Sequence, residues 1–303
     1  MSPLKLNPVC RLEVVPTGLS LDQKGLRLAC GTKEGQILLI EVMTGRIEED
    51  VTGHEDVVSS LCFLGSDNSF LSTSWDATTR LWERRKATKC SASLSHHSEV
   101  KALAVSKTAG RGVSGSRDGE LKVFSLSSLK CLRNISAHDL DVSAIGMDCE
   151  GARLVTASWD GQCKVWETSG YTLVRIAAET GERIRSMSLS PDTKTALLGL
   201  HGGTILKVFL ESRERPAETM AHHDAVSSLA VDPTGKYLLS GGLDRAVKIW
   251  SLDGMVELTS ARTTGAVSSV TWSPAGDSGY VADTSGSISR ISFASSSLQE
   301  QQA

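Results

Sequence analysis

The triplet Ser74-Trp75-Asp76 returns as Ser116-Arg117-Asp118 and as Ser158-Trp159-Asp160, each time 42 residues on, and two such steps later as Gly242-Leu243-Asp244. The same step carried backwards reaches Glu34 and carried into the gap reaches Gly202; shortened by one residue it lands on Ser285, which makes seven anchors. Six residues past the anchors stand Ile40, Trp82, Phe124, Trp166, Val208, Trp250 and Ile291, each preceded by alternating or continuous apolar residues as in Thr79-Arg80-Leu81-Trp82. Each anchor therefore sits in a turn between two strands.

A second mark recurs upstream. Gly53-His54, His96-His97, Ala137-His138 and His222-His223 precede Val58, Val100, Val142 and Val226, which open a strand. A repeat of this length, built of short strands and turns rich in Gly, Asp and Ser, has room for four antiparallel strands of roughly five or six residues. No stretch sustains a helical period. Repetition of this kind settles architecture before any local assignment, and the expectation is an all-β chain: a seven-bladed β-propeller with four antiparallel strands per blade. Residues 294–303 read as a polar, disordered tail beyond a propeller of residues 1–293. The outer strand of the last blade must then come from the N-terminus, from about Leu4 to Cys10, where Pro8 is tolerated because an outer strand has one unpaired edge. Joining the ends removes the exposed edge of an open array.

Composition leaves the partner open. A formal net charge of −3 over 303 residues gives no basic field for nucleic acid and no acidic block. The longest apolar runs, such as Gln36-Ile37-Leu38-Leu39-Ile40, are strand-sized and far short of the roughly 20 residues of a membrane helix. The start, Met1-Ser2-Pro3-Leu4-Lys5-Leu6, lacks a secretory or transit layout, so a cytoplasmic or nuclear location is expected. Seven scattered cysteines without a C-x-x-C pair read as reduced, buried strand residues.

The His-then-Val strand, the Ser-x-x-x-Asp turn and Leu81-Trp82-Glu83 or Val165-Trp166-Glu167 resemble the Gly-His and Trp-Asp signatures of WD40 repeats, over nearly the whole chain. The resemblance is specific in units 2, 3, 4 and 6 and weakens in units 1, 5 and 7. It implies that His, Ser/Thr, Asp and Trp form a buried hydrogen-bonded chain in each complete blade: His54, Ser72, Asp76 and Trp82; His138, Thr156, Asp160 and Trp166; His223, Ser240, Asp244 and Trp250. In the third unit His97, Ser114 and Asp118 are assigned, but Phe124 has no indole N–H, so the chain should end at the hydroxyl. A set that recurs at fixed spacing is a scaffold device, whereas a nucleophile site occurs once and is built from unlike segments.

The turns and His loops lie at one end of the propeller, the expected working face. Lys33, Trp75, Arg117, Trp159, His201, Leu243 and Thr284 project there, and two tryptophans flank an arginine in consecutive blades. Trp and Arg dominate interface hot spots, and neither Trp75 nor Trp159 is needed by a tetrad; the alternative is that each indole packs on the neighbouring loop. Asp56, Glu99, Asp141 and Asp224 precede the first strands, while Lys101 and Arg185 replace the serines at 59, 143 and 227. An acidic arc of Asp56, Glu99 and Asp224 would favour Arg or Lys on the ligand.

These residues point to a non-catalytic scaffold for protein or peptide partners within a multiprotein complex, with no cofactor, metal, membrane, direct nucleic-acid or small-molecule ligand. Trp82-Glu83-Arg84-Arg85 resembles the W-D-x-R box of WD-repeat substrate receptors of cullin-based ubiquitin ligases, which is the alternative; an enzyme on a propeller is the alternative of another class. No phosphate-binding loop or nucleophile elbow is present. His54-Glu55-Asp56-Val57-Val58 lacks a zinc site's second His, and the pairs His96/His97 and His222/His223 have no Cys or carboxylate cluster beside them.

Overall fold

The computed structural model describes residues 4–64 and 68–292. These form seven four-stranded antiparallel sheets. The expected polar tail lies outside the described residues. Inner strands begin at Pro16, Val58, Val100, Val142, Ile184, Val226 and Val267. Each packs against the inner strands on either side, and the ring closes where the strands from Pro16 and Val267 meet. A seven-bladed β-propeller results, without a membrane-length apolar helix among the described residues.

Each sheet is buried on both faces by its neighbours, so the second and third strands of a blade read as apolar runs, as in Leu38-Leu39-Ile40. The buried residues group into seven cores, one at each blade–blade junction; Val155, Cys163 and Val165 of blade 4, for example, meet Ile184, Ala196 and Leu198 of blade 5. Burial accordingly pushes the Cys163 thiol up to about 12 and the Cys10 thiol to about 11.

The closing strand is Leu6–Arg11, two residues further on than the expected start. It pairs antiparallel with Ser287–Ser292, Leu6 opposite Ile291, and its ladder is interrupted between Pro8 and Cys10. Proline withholds a ladder hydrogen bond, and the outermost strand is where a sheet tolerates that loss.

Candidate functional site: the axial mouth on the turn face

Three blades carry a hydrogen-bonded chain of one polarity. In blade 2, His54 Nδ1 lies 2.7 Å from Asp76, His54 Nε2 lies 2.6 Å from Ser72 Oγ, and Trp82 Nε1 donates to the same Oγ at 2.7 Å. In blade 4 the corresponding distances are 2.8 Å from His138 to Asp160, 2.8 Å from His138 to Thr156 and 2.9 Å from Trp166 to Thr156. A carboxylate only accepts, so Nδ1 carries the proton, the hydroxyl donates to Nε2, and the indole donates to the hydroxyl.

The connectivity matches a Ser-His-Asp triad, but the hydroxyls of Ser72, Thr156 and Ser240 are fully buried and already hold an indole N–H. They have no route to a substrate.

Two histidines differ from expectation. In blade 6 the ring in the chain is His222, 3.1 Å from Asp244 and 2.8 Å from Ser240, and not His223. His223 is exposed and contributes its backbone N–H to Asp244 at 2.9 Å, the position that Glu55 and Asp139 fill in blades 2 and 4. In blade 3 the buried ring is His96, and His97 is exposed. The separation of His from its hydroxyl is 18 residues in every case, which selects the first His of each doublet.

Blade 3 departs further. His96 Nε2 lies 3.1 Å from both Ser114 Oγ and Thr79 Oγ1, while its Nδ1 is buried without a partner. Asp118 turns instead to Ser116 Oγ and the Glu120 N–H. With no indole at Phe124 and no carboxylate on Nδ1, burial, aided by the charge of Lys122, pushes the His96 pKa down to about 4.

The chains pin the turns, and a second set of bonds places the turn residues around the axis. The backbone N–H groups of Lys33, Trp75, Arg117, Trp159, His201, Leu243 and Thr284 donate to the carbonyls of Val15, Val57, Glu99, Asp141, Arg183, Ala225 and Ala266, at 2.8 to 3.0 Å. All seven are thus tied to the entry of their own inner strand. A belt of hydroxyls links the blades beneath them: Ser59, Ser143 and Ser227 each donate at 2.6 Å to the first inner-strand carbonyl of the next blade. At Lys101 the belt is replaced by an ion pair with Asp141 of blade 4.

The axial mouth encloses about 580 Å³, lined near the surface by Lys33, Trp75, Lys101, Trp159 and Arg185. Lys101, rather than Arg117, sits between the tryptophans: its Nζ lies 4.3 Å from the Trp159 centroid and 5.5 Å from that of Trp75. Arg117 points away and forms a 2.8 Å ion pair with Glu99. Arg185 and Arg183, the latter not singled out from the sequence, place their guanidinium carbons 5.7 and 4.9 Å from the Trp159 centroid.

His201 and Leu243 stand on the rim outside this lining. The carboxylates of the expected acidic arc all hold local partners. Asp56 and Asp224 cap the N–H of their own successors, Val57 and Ala225, and Glu99 holds Arg117. In Trp82-Glu83-Arg84-Arg85, Arg84 is drawn to Glu48 and Glu49 of blade 1 at 3.0 and 3.4 Å, which leaves Arg85 exposed beside Glu83.

Comparison with known proteins agrees with this geometry. The family model "WD domain, G-beta repeat" matches residues 45–83, 88–125, 129–167 and 214–251, about half of the chain. Pre-mRNA-processing factor 19 homolog 2 of Arabidopsis thaliana is 34% identical over 36% of this chain and 21% of its own length. Human striatin-3 is 26% identical over 67% of this chain and 22% of its own. The chicken U3 small nucleolar RNA-associated protein 15 homolog is 26% identical over 86% of this chain and 42% of its own. The chain thus spans between about a fifth and two fifths of the length of these curated relatives. With four matched repeats set in a closed ring of seven blades, the chain belongs to the WD40 family of WD-domain, G-beta repeat proteins.

Proposed function

We propose that this propeller is a non-catalytic interaction scaffold that takes a peptide or protein segment at the axial mouth of its turn face, with Trp75 and Trp159 as anchors. One observation carries the reading: of six tryptophans, Trp82, Trp166, Trp250 and Trp272 are buried, whereas Trp75 is 41% exposed and lines the mouth with the half-buried Trp159. A large aromatic left in water beside a concave, cation-rimmed opening is the composition of an interface hot spot. Its backbone is held by the inner strand and its turn by the Asp76 network, so little ordering entropy is lost on binding.

A place for the chain within a larger assembly, in the nucleus or cytoplasm, is part of the same proposal. The name of the U3 small nucleolar RNA-associated relative supports it.

The test compares wild type with a Trp75→Ala, Trp159→Ala double variant of matched melting temperature, immobilised and exposed to extract from the native cell. Captured proteins are quantified by mass. Loss of a defined set of partners in the variant is expected; equal capture by both proteins removes the tryptophans from the site. Substrate turnover by the purified chain would speak for an enzyme instead.

A further inference from the structure

We infer that the partner segment seated at the axial mouth is acidic, and that a carboxylate side chain of it is received by Arg185 and Arg183 beside the Trp159 indole; this rests on the mouth being the binding face.

The charge arrangement carries the inference. Three cations, Lys101, Arg183 and Arg185, gather within 6 Å of the centroid of one indole ring. Lys101 is paired with Asp141, and Arg185 feels the charge of Asp224 without forming an ion pair with it. Among the described residues neither arginine makes an ion pair, and Lys33 across the mouth makes none. Like charges held together repel, and in a protein with a net charge of −3 the arrangement is not a by-product of a basic surface.

The neighbouring carboxylates hydrogen-bond other groups, Glu99 holding Arg117, Asp224 the Ala225 N–H and Glu182 the Gly202 N–H at 2.7 Å, although Asp224 still acts on Arg185 through its charge. Arg185 is half-buried, and burial lowers its pKa against the partial compensation of Asp224. A half-buried guanidinium without an ion-pair partner presents a planar fork that a carboxylate fills with two parallel hydrogen bonds. The Trp159 indole beside the two guanidinium groups adds an apolar wall for the methylenes of an Asp or Glu side chain.

Carboxylate is favoured over phosphate by count. With Lys101 committed to Asp141 and Lys33 across the mouth, the half-buried Arg185 and the exposed Arg183 are the cations left beside Trp159, which suits a single charge there better than a doubly charged group needing several donors.

A phage-displayed random peptide library panned on the full chain tests this. Wild type is run beside an Arg183→Gln, Arg185→Gln variant and the Trp75→Ala, Trp159→Ala variant, all checked for unchanged melting temperature. The expected result is enrichment of Asp- or Glu-containing peptides on wild type alone, with an affinity for the best synthetic peptide that falls at least about tenfold when its acid is changed to the amide.

Enrichment that needs the tryptophans but favours neutral or basic peptides would leave the binding face standing and overturn the acidic assignment. Acidic peptides that bind all three proteins alike, or no enrichment on wild type, would overturn both. A phosphoserine replacing the key acid and binding at least about tenfold tighter would assign the site to phosphate and overturn the carboxylate.

Discussion

Thr156 Oγ1 lies 2.8 Å from His138 Nε2 and, on its other side, accepts the Trp166 indole N–H at 2.9 Å. One buried hydroxyl thus satisfies two rings, while in blade 3 the corresponding Ser114 serves only His96, which Thr79 also reaches. Removing a hydroxyl strands its partners at roughly 1–3 kcal/mol each. Thr156→Val should therefore cost about 2–6 kcal/mol, and Ser114→Ala nearer 1 kcal/mol. Urea unfolding measures both; equal losses would show that the indole bond contributes nothing.

Stability should fall on acidification from near neutrality. Burial lowers the pKa of His96, His138 and His222 in the folded protein, with His96 reaching about 4 from 6.5. The unfolded chain then binds protons that the folded one refuses, so stability is complete above about 6.5 and declines as pH falls toward 4, by roughly 3 kcal/mol for His96 alone.

Below that window the carboxylates take over. Burial works to raise the Asp160 pKa, but the Gln162 N–H and His138 outweigh it and hold the group below its ordinary value. Its stabilisation is present above the unfolded pKa and lost as pH falls through the folded one. His96→Gln should remove about one proton from the slope of stability against pH between 6.5 and 4.5, roughly 1.4 kcal/mol per unit. An unchanged slope would contradict the assignment of a neutral, buried His96.

The residue after each anchor turns through the left-handed region. It is Gly119 in blade 3, at φ +81°, and Ala77 in blade 2, at φ +61°. A Cβ on Gly119 would stand 1.9 Å from the His138 carbonyl oxygen, and backbone cannot yield as a flexible side chain does. Gly119→Ala should cost more than about 1–3 kcal/mol, strain and clash together, whereas Ala77→Gly should change stability by less than about 1 kcal/mol. Thermal unfolding of the pair is the check, and a neutral Gly119→Ala would contradict the turn geometry.

How much of this could be read from the residues alone differs by level. Blade number, strand pairing and the closing N-terminal strand follow from a constant step, because the step is set by the backbone of one repeated sheet. The tetrads of blades 2 and 4 follow from the same register. The doublets His96-His97 and His222-His223 mislead because residue type cannot separate two adjacent imidazoles, although the invariant spacing of 18 residues from ring to hydroxyl does.

The mouth is harder to read. Which cation lies between Trp75 and Trp159 depends on side-chain reach from neighbouring blades, so Lys101 on the inner strand takes the place that linear adjacency suggests for Arg117. Arg183 carries a signal in retrospect: in the column Val57, Glu99, Asp141, Arg183, Ala225 it alone is basic. The local bonds of the acidic arc are not legible either, because Asp56 and Asp224 stand one step earlier in the repeat than Glu99 and in short loops a carboxylate caps its own chain.

Partners are predicted to engage the axial mouth and not the outer rim. A photo-cross-linking amino acid placed at Trp75 and, separately, at Val174, which is 60% exposed on the outer strand of blade 4, tests this in the native cell. Discrete cross-linked partners from position 75 and none from position 174 are predicted; partners trapped at 174 with none at 75 would contradict it.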